Sequence, residues 1–414
     1  MNAGLNVESI IRDGKILARN EILQPFYPSM NTISNTVLSN LTVVDTTLRT
    51  QSQWRSIVWG RDRFAVVGFT NEVTFCKFST DGTNWSSSSS IINSPLGDGK
   101  PGGNMHKIIY SPELDLFVAG GTNNVILTSP DANTWTSRNY SAGEGTITGG
   151  AWSPTENILV MANGSSPAIF YTSDDGINWT RRTTEVYLGA YDNFLTWSKL
   201  LNKFITSKGV TSVDGINWTP LTEYPVGANQ IVSADEIGIL VTGSFSSGFD
   251  ATVSSDYGKT WVTVNFDGDF ASRTTRGLVW CKEIGIVCAV TEQNGVTQNL
   301  WYSRDGFTWY KGPEVGQRQR CVGWSPELGV IISPDRDGGT NNLIRRSSLK
   351  TIPTIQNVFN SEYSSINDQG EWSFGSINVT EYKVNSNTGA TGSFTTADGK
   401  TVTVEGGIIT SITP

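Results

Sequence analysis

The chain has one histidine in 414 residues, His106, and four cysteines, Cys76, Cys281, Cys288 and Cys321. A single imidazole removes most triad and metal–histidine chemistry, and His106 reads as a polar residue at the start of a strand. The cysteines lack close metal-ligand spacing and read as four reduced, buried small hydrophobes. Charged residues make up only 16% of the chain and the net charge is −8. No basic patch can dominate such a field, which argues against nucleic acid as a partner. The small clusters Arg181-Arg182 and Arg345-Arg346 read as solvated strand residues. No apolar run reaches the roughly 18 residues of a membrane-spanning helix, so no membrane insertion is expected. The opening MNAGLNVESIIRDGK lacks a basic segment followed by an apolar core, so the expectation is synthesis in a cytoplasm without a secretory signal. Long Lys/Glu/Ala helical stretches are also missing. Glycine is plentiful, at 43 residues, beside abundant Ser, Thr and Asn. That is the composition of a β-rich chain with many turns.

One eight-residue phrase returns six times. It reads FSTDGTNW at Phe78–Trp85, TSPDANTW at Thr128–Trp135, TSDDGINW at Thr172–Trp179, TSVDGINW at Thr211–Trp218, SSDYGKTW at Ser254–Trp261 and YSRDGFTW at Tyr302–Trp309. Successive terminal tryptophans lie 39 to 50 residues apart. A period of about 40–50 residues with β composition predicts a propeller.

Two apolar strands precede each phrase. The first ends in an aromatic residue: SIVWG at Ser56–Gly60, KIIYS at Lys107–Ser111, GAWS at Gly150–Ser153, FLTWS at Phe194–Ser198, GLVWC at Gly277–Cys281 and CVGWS at Cys321–Ser325. In the fifth unit QIVSA puts Ser233 where the aromatic belongs. Short turns such as SPEL (Ser111–Leu114 and Ser325–Leu328) lead into a second apolar run. Such runs, bounded by Gly, Pro and Asn, predict buried strands. Counting first strands gives seven units. The seventh lacks the phrase and the strand after its tryptophan, so Val37–Leu48 (VLSNLTVVDTTL) is expected to close the ring as the outer strand of the last blade, leaving no long unpaired edge.

Every residue of the phrase has a folding role. The Asp accepts backbone N–H groups, Gly supplies a positive φ, the Ser or Thr hydroxyl ties the turn to its strand, and Trp fills the space between blades. The structural set is therefore Asp81, Asp131, Asp174, Asp214, Asp256 and Asp305 with Trp85, Trp135, Trp179, Trp218, Trp261 and Trp309. Six dispersed carboxylates are a poor catalytic site.

These residues carry a family resemblance. The phrase resembles the Asp box, or BNR repeat, S/T-x-D-x-G-x-T-W, of sialidases and other propellers. Thr172-x-Asp174-x-Gly176-x-Asn178-Trp179 and Ser254-x-Asp256-x-Gly258-x-Thr260-Trp261 match its full spacing; the other copies read S-x-D-G-x-x-W or carry Ala132 for Gly. The resemblance covers roughly Trp54–Leu349 and speaks to fold more than to function, because the family includes hydrolases, lectins and scaffolds. A sialidase-like site would need an arginine cluster, a Tyr/Glu nucleophile pair, an acid-base Asp and an Arg-Ile-Pro motif. The early arginines in WGRDRFAVV (Trp59–Val67) do not match. The acidic pairs Asp267/Asp269 and Asp335/Asp337 sit in Gly-rich loops without full EF-hand spacing and read as solvated. No enzyme, cofactor or metal is expected.

The ends depart from the repeat. Residues 351–414 close with GSFTT, TVTV and IITSI joined by Asp-Gly and Gly-Gly turns, which predicts a three-stranded β-meander, marginal alone. The stretch Val7–Pro28 contains IIRDGKIL, an Asp-Gly hairpin pattern, and reads as a docking segment or a simple lead-in to the ring. The tail GATGSFTTADGKTVTVEGGIITSI and the S-x-D-G-x-x-W dialect with SPEL turns look like tailed-bacteriophage virion proteins.

The expectation is thus an all-β chain: residues 1–50 as N-terminal docking segment and ring-closing strand, 51–350 as a seven-bladed β-propeller with Asp boxes, and 351–414 as linker and small β module. The expected function is a virion structural protein, a tail fibre or spike whose propeller binds a host surface polysaccharide. The alternative is a purely structural collar, tail or decoration subunit; a glycan hydrolase and a free-standing lectin rank below both. Candidate glycan contacts are Trp301, Tyr310 and Tyr140. Partners would be other virion proteins, through both terminal segments, and copies of the chain itself.

Overall fold

The computed structural model describes residues 11–12, 15–16, 41–44, 53–69, 74–87, 104–138, 145–165, 167–186, 188, 194–225, 227–244, 249–266, 273–293, 296, 298–316, 318–334 and 344–348, and the C-terminal strands at 364–366, 372–374, 383–384, 387–388, 392–395, 401–405 and 408–413. Four-stranded antiparallel sheets follow one another along the chain. The first comprises Gln53–Gly60, Arg63–Phe69, Thr74–Ser79 and Ser86–Ser87. The second is Met105–Ser111, Leu116–Gly121, Ile126–Ser129 and Thr136–Arg138, and the third Ile147–Ser153, Ile158–Asn163, Ile169–Ser173 and Thr180–Thr183. The fourth is Leu195–Ser198, Lys203–Thr206, Val210–Ser212 and Thr219–Pro220, and the fifth Ala228–Ala234, Ile239–Ser244, Ala251–Ser254 and Val262–Val264. The sixth is Thr274–Cys281, Ile286–Glu292, Gln298–Ser303 and Trp309–Gly316. In the last sheet Gly323–Ser325, Val330–Pro334 and Ile344–Ser348 are followed by Leu41–Val44, which pairs antiparallel with Ile344–Ser348 in the register Leu41↔Ser347 to Val44↔Ile344. The protein is an all-β β-propeller. Its helical content among the described residues is one 3-10 turn, Asp235–Ile237.

Second strands are buried on both faces: every residue of Phe64–Phe69 is buried, as is every residue of Phe117–Gly121 and Leu159–Asn163. Their continuous apolar runs reflect a neighbouring sheet on each side. The phrase tryptophans fill these interfaces, each against the preceding sheet. Trp135 packs with Ala65, Val67 and Cys76 of the first sheet. Trp218 lies flat on Phe170 of the third sheet, ring centroids 3.9 Å apart and planes 8° off parallel. Trp309 joins Val241 and Val253 of the fifth sheet. Trp179 sits with Val118 and Ile126 of the second, and Trp261 with Ile205 of the fourth. Trp85 packs with Val330 and Ile332 of the last sheet, so the same device joins last sheet to first. The four cysteines are free and buried.

The phrase forms one repeated turn between third and fourth strands. In the first copy Ser79 Oγ accepts from Gly82 N (2.9 Å) and donates to Asp81 Oδ1 (3.0 Å). That oxygen also accepts from the N–H groups of Thr83 and Asn84, both at 2.7 Å. The Trp85 indole returns a hydrogen bond to the Gly82 carbonyl (3.3 Å). Asp131, Asp214 and Asp305 act identically on the two N–H groups that follow their glycine or Ala132. In the third copy the structural carboxylate is Asp175, not Asp174 as the spacing suggested. Ser173 donates to Asp175 Oδ1 at 3.0 Å, and Ile177 N and Asn178 N donate to the same atom at 2.7 Å. The turn counts back from the tryptophan, so Ser173-x-Asp175-Gly176 keeps the register of the other short copies. Only the fifth copy uses the longer spacing. There Gly258 N reaches Ser254 Oγ (2.8 Å), and the extra residue, Tyr257, is absorbed in a left-handed conformation at φ 67°. Ala132 adopts φ 56° where the other turns place glycine.

The chain divides into two compact units, Arg19–Thr351 and a second made of Met1–Ala18 with Ile352–Pro414. The first residues group with the C-terminal region. In that second unit Ile11–Arg12 and Lys15–Ile16 form a hairpin in the register Arg12↔Lys15. The C-terminal meander is present as Gly392–Thr395, Thr401–Glu405 and Ile408–Thr413. Short hairpins Ser364–Ile366/Trp372–Phe374 and Lys383–Val384/Asn387–Thr388 precede it.

The turns set two expectations. A Cβ on Gly215 (φ 71°) would meet Val160 Cγ2 at 2.7 Å, whereas one on Gly238 (also φ 71°) would meet nothing within 4 Å. Gly215→Ala should cost about 2–4 kcal/mol in urea unfolding and Gly238→Ala only about 1–2 kcal/mol, the backbone penalty alone. Partial burial would raise the Asp81 and Asp214 carboxyls, but the turn N–H donors outweigh it and bring both down to about 2. Carboxyls depressed in the folded state contribute stability that is complete above pH 4 and lost as pH falls towards 2. The melting temperature should drop steeply across that window, and Asp214→Asn, less stable at pH 7, should show a shallower drop.

Candidate functional site

The first strands of the successive sheets enclose an axial cavity of about 530 Å³. Strands alternate in direction, so the turns after first strands and the Asp-box turns lie on one face, and the starts of the first strands lie on the other. The cavity is lined towards the Asp-box face by Tyr110, Trp152, Trp197 and Trp280, with Glu113, Lys199 and Asp235. These aromatics are the strand-end residues that the repeat marked.

Two of the strand-end indoles are held between sheets. Trp280 Nε1 donates to Glu236 Oε2 of the preceding sheet's turn (2.6 Å), and Trp324 Nε1 donates to Glu283 Oε2 (2.8 Å). The glutamate stands three residues after the strand-end position, a spacing visible in the sequence. Thr155 and Leu200 occupy that place in the third and fourth units. Trp197, facing Thr155, has a buried indole N–H with no acceptor among the described residues, as does Trp152. Opposite Leu200 the aromatic is replaced by Ser233. Its Oγ lies 2.6 Å from Asp235 Oδ1 and 2.8 Å from Ser198 Oγ. Asp235 also accepts from Ser198 Oγ (3.0 Å) and from Lys199 N and Leu200 N (both 3.1 Å). The fifth unit's departure from the repeat is thus a polar staple in place of an aromatic one, and it spends the carboxylate on structure.

The opposite end of the cavity narrows to a pocket lined by Arg55, His106, Thr148, Phe194, Arg276 and Arg320. Sequence reading found no arginine cluster, yet three arginines meet here from positions 55, 276 and 320. For Arg55 and Arg276 the cause is a repeated backbone irregularity. Pairing of first and second strands skips one residue at Trp54/Ser56, Met105/Lys107, Ile147/Gly149, Ala228/Gln230 and Thr275/Gly277. The skipped residues are Arg55, His106, Thr148, Asn229 and Arg276, and a bulge redirects such a residue out of the pleat. The signal is an unpaired position near the start of five first strands, which residue pattern alone does not reveal.

Electrostatics differ along the cavity. Arg276 Nε donates to Glu292 Oε2 (2.8 Å), and Arg320 Nε lies 3.5 Å from the same oxygen. Arg55 bonds Gln53 Oε1 (2.8 Å) and stands over the Phe69 ring at 4.9 Å. Lys107 lies over Phe194 at 5.0 Å, and burial lowers its ammonium to about 8. His106 packs on Phe69, centroids 5.1 Å apart; burial, with the Arg55 charge, drives it down to about 3. His106 stands at the start of the strand Met105–Ser111, as its position suggested, and there forms a neutral wall of the pocket.

Of the proposed glycan contacts, Trp301 is corrected. It is 2% exposed, packed against Phe266 and covered by the Arg273 guanidinium at 4.9 Å. Its strand is the third of its sheet, enclosed between neighbouring sheets, so the ring cannot reach a ligand. Tyr310, half-buried on an outer strand, stacks on Tyr302 with centroids 5.4 Å apart. Neither lines the cavity. Tyr140 and the pairs Asp267/Asp269 and Asp335/Asp337 lie outside the described residues.

The half-buried imidazole has a measurable consequence. Folded His106 stays unprotonated until about pH 3, while the unfolded chain takes up its proton near 6.5. Stability is complete above pH 6.5 and falls on acidification by about 1.4 kcal/mol per pH unit. Urea unfolding at pH 6.5 and pH 5 should differ by about 2 kcal/mol, and His106→Asn should remove most of that difference.

No family model matches the chain, and no curated protein matches it. Solved structures similar to it include the WD40 β-propeller domain of Doa1, with TM-score 0.53 and 14% identity over 76% of this chain and 98% of that one. A chain of the mitotic checkpoint complex matches with TM-score 0.53 and 13% identity over 76% and 96%. YCF48 bound to D1 peptide matches with TM-score 0.55 and 14% identity over 74% and 96%. At this identity the likeness is one of fold, and the chain shares with these proteins the β-propeller architecture.

Proposed function

We propose that the chain is a bacteriophage virion protein, a tail fibre or spike component whose propeller binds a host surface polysaccharide during attachment, and that it acts by binding rather than catalysis. In this reading the ring has seven blades and Leu41–Val44 serves as the outer strand of the last one. The terminal segments dock other virion proteins, and several copies assemble on the particle, made in the host cytoplasm. The observation that carries the binding role is the axial cavity of about 530 Å³, walled by tryptophan and tyrosine at one end and by arginines at the other. Aromatic faces with a few directed polar groups are what a sugar-binding cleft requires. Glycoside hydrolysis would require two carboxyls set across a substrate. The carboxylates of the lining are Glu113 and Asp235, and Asp235 is already saturated by its staple. The virion setting rests on the phrasing of the repeat and the C-terminal tail.

A specific observation favours the purely structural alternative as second reading. The Asp-box turns of consecutive sheets expose Ile177, Val213, Ile216, Tyr257 and Phe307. Apolar residues repeated along one face suit a protein neighbour. YCF48, solved with a D1 peptide, illustrates a propeller holding a polypeptide.

Binding of purified protein to an array of bacterial envelope polysaccharides separates these readings. Saturable retention of one polysaccharide, its chain length unchanged on long incubation, is expected. Shortening of the polymer would restore a hydrolase, and retention of none would favour the structural subunit.

A further inference from the structure

Lys107 lines the axial cavity away from any carboxylate that could hold its charge. It belongs to the first strand of the second sheet, pairs with Gly120 and is half-buried. Its ammonium lies 5.0 Å from the centre of the Phe194 ring, at the start of the fourth sheet. It is also within electrostatic reach of the Cys321 thiol, just before the last sheet. No carboxylate pairs with it among the described residues. The carboxylates of the lining, Glu113 and Asp235, stand beyond the far ends of their strands, and the four residues from Lys107 to Ser111 alone span about 13 Å. The other charged groups of the lining are Arg55, Arg320 and Lys199, which cannot neutralise an ammonium.

Burial disfavours the charge, and the ammonium falls to about 8. Near neutral pH a fraction of Lys107 is therefore free amine, which is a nucleophile. The thiol beside it moves the other way. Burial pushes Cys321 up to about 12, against the Lys107 charge, so it stays protonated and unreactive. Of these two side chains the amine is the competent one. The cavity opens at the Asp-box face, where Glu113, Pro154 and Lys199 are exposed, and about 530 Å³ accommodates a sugar-sized molecule.

We propose that Lys107 is a carbonyl-capture site, whose amine forms a reversible imine with an aldehyde, such as the open-chain end of a reducing sugar, that enters the axial cavity. The nitrogen lone pair attacks the carbonyl carbon and forms the C–N bond. Both amine protons pass to the carbonyl oxygen, which leaves as water, and C=N replaces C=O. No oxidant or reductant takes part. The site goes beyond the attachment reading, which requires no covalent bond.

The test uses the full chain, with glyceraldehyde as probe and cyanoborohydride to fix the imine as a secondary amine. After brief treatment at pH 7.5, peptide mass spectrometry should find the adduct on Lys107 about tenfold or more ahead of the exposed Lys199, Lys203 and Lys259. The rate at Lys107 should level off above about pH 8, whereas an unburied lysine gains free amine up to about pH 10. Lys107→Arg, which keeps the charge and removes the nucleophile, should abolish the cavity adduct. Cys321→Ser should retain it. Thermal melts establish that both variants are folded, and the adduct map and pH profile of the unaltered chain stand without them. Equal labelling of Lys107 and the exposed lysines, a Lys107 rate still climbing at pH 10, or loss of the adduct in folded Cys321→Ser overturns the proposal.

Discussion

The ring depends on one small hydrogen-bonded turn. A single carboxylate oxygen accepts two consecutive backbone N–H groups and a serine hydroxyl, and this fixes the direction in which the chain leaves the third strand. The next side chain is a tryptophan, and its path puts the indole against the preceding sheet. The indole N–H returns to the carbonyl of the turn's own glycine or of Ala132, so burying the ring strands no donor. A tryptophan buries about 150–250 Å², which at about 25 cal/mol per Å² amounts to roughly 4–6 kcal/mol per interface as an upper bound. The polar half of the turn makes that burial possible, because an unsatisfied N–H pair would offset much of it. Trp85 applies the same device between first and last sheets, so the closing interface needs no chemistry of its own.

At the starts of the first strands Trp54, Met105 and Ile147 belong to the core, and it is the bulged positions beside them that the repeat does not constrain. Side chains there are free to differ. The bulged positions hold Arg55, His106, Thr148, Asn229 and Arg276, four residue types serving one backbone geometry. At the opposite end of the same strands the constraint returns. The strand-end aromatic is tied to the previous turn through Glu236 or Glu283, and Ser233 with Asp235 substitutes where Leu200 cannot accept a hydrogen bond. The axial cavity therefore has one end governed by the repeat and one end released from it. Specificity in a repeat protein belongs at the released end.

What could be read in advance followed from how local each feature is. The six phrases and their spacing specify a turn and its tryptophan within eight residues, so strands, period and β-propeller class were legible. Asp174 and Asp175 fit two spellings of the phrase; counting back from Trp179, as the other short copies require, selects Asp175. Trp301 suggested an exposed platform because its strand borders the phrase, but exposure depends on Phe266 and Arg273, which arrive from the neighbouring segment. The arginine pocket was invisible for a stronger reason. Arg55, Arg276 and Arg320 share no motif; a skipped pairing in the ladder places the first two, and the packing of sheets around the cavity brings Arg320 to them, both tertiary properties.

An acidic chain with cationic side chains along its cavity treats charged ligands differently at different distances. At range the net charge of −8 repels an acidic polymer, and at physiological ionic strength that repulsion decays over about 8 Å. Inside the cavity the strand walls hold the local dielectric down, so charged contacts are screened far less than the outer field. The outer field acts on the approach and the cavity acts on the bound state. Added salt should then speed encounter while changing dissociation little, the reverse of a protein that captures anions on an exposed basic patch. A ligand that offers charge alone pays the repulsion without filling the rest of the cavity. On the attachment reading, a ligand that also presents apolar sugar faces to Trp152, Trp197 and Trp280 is the one that fits the cavity.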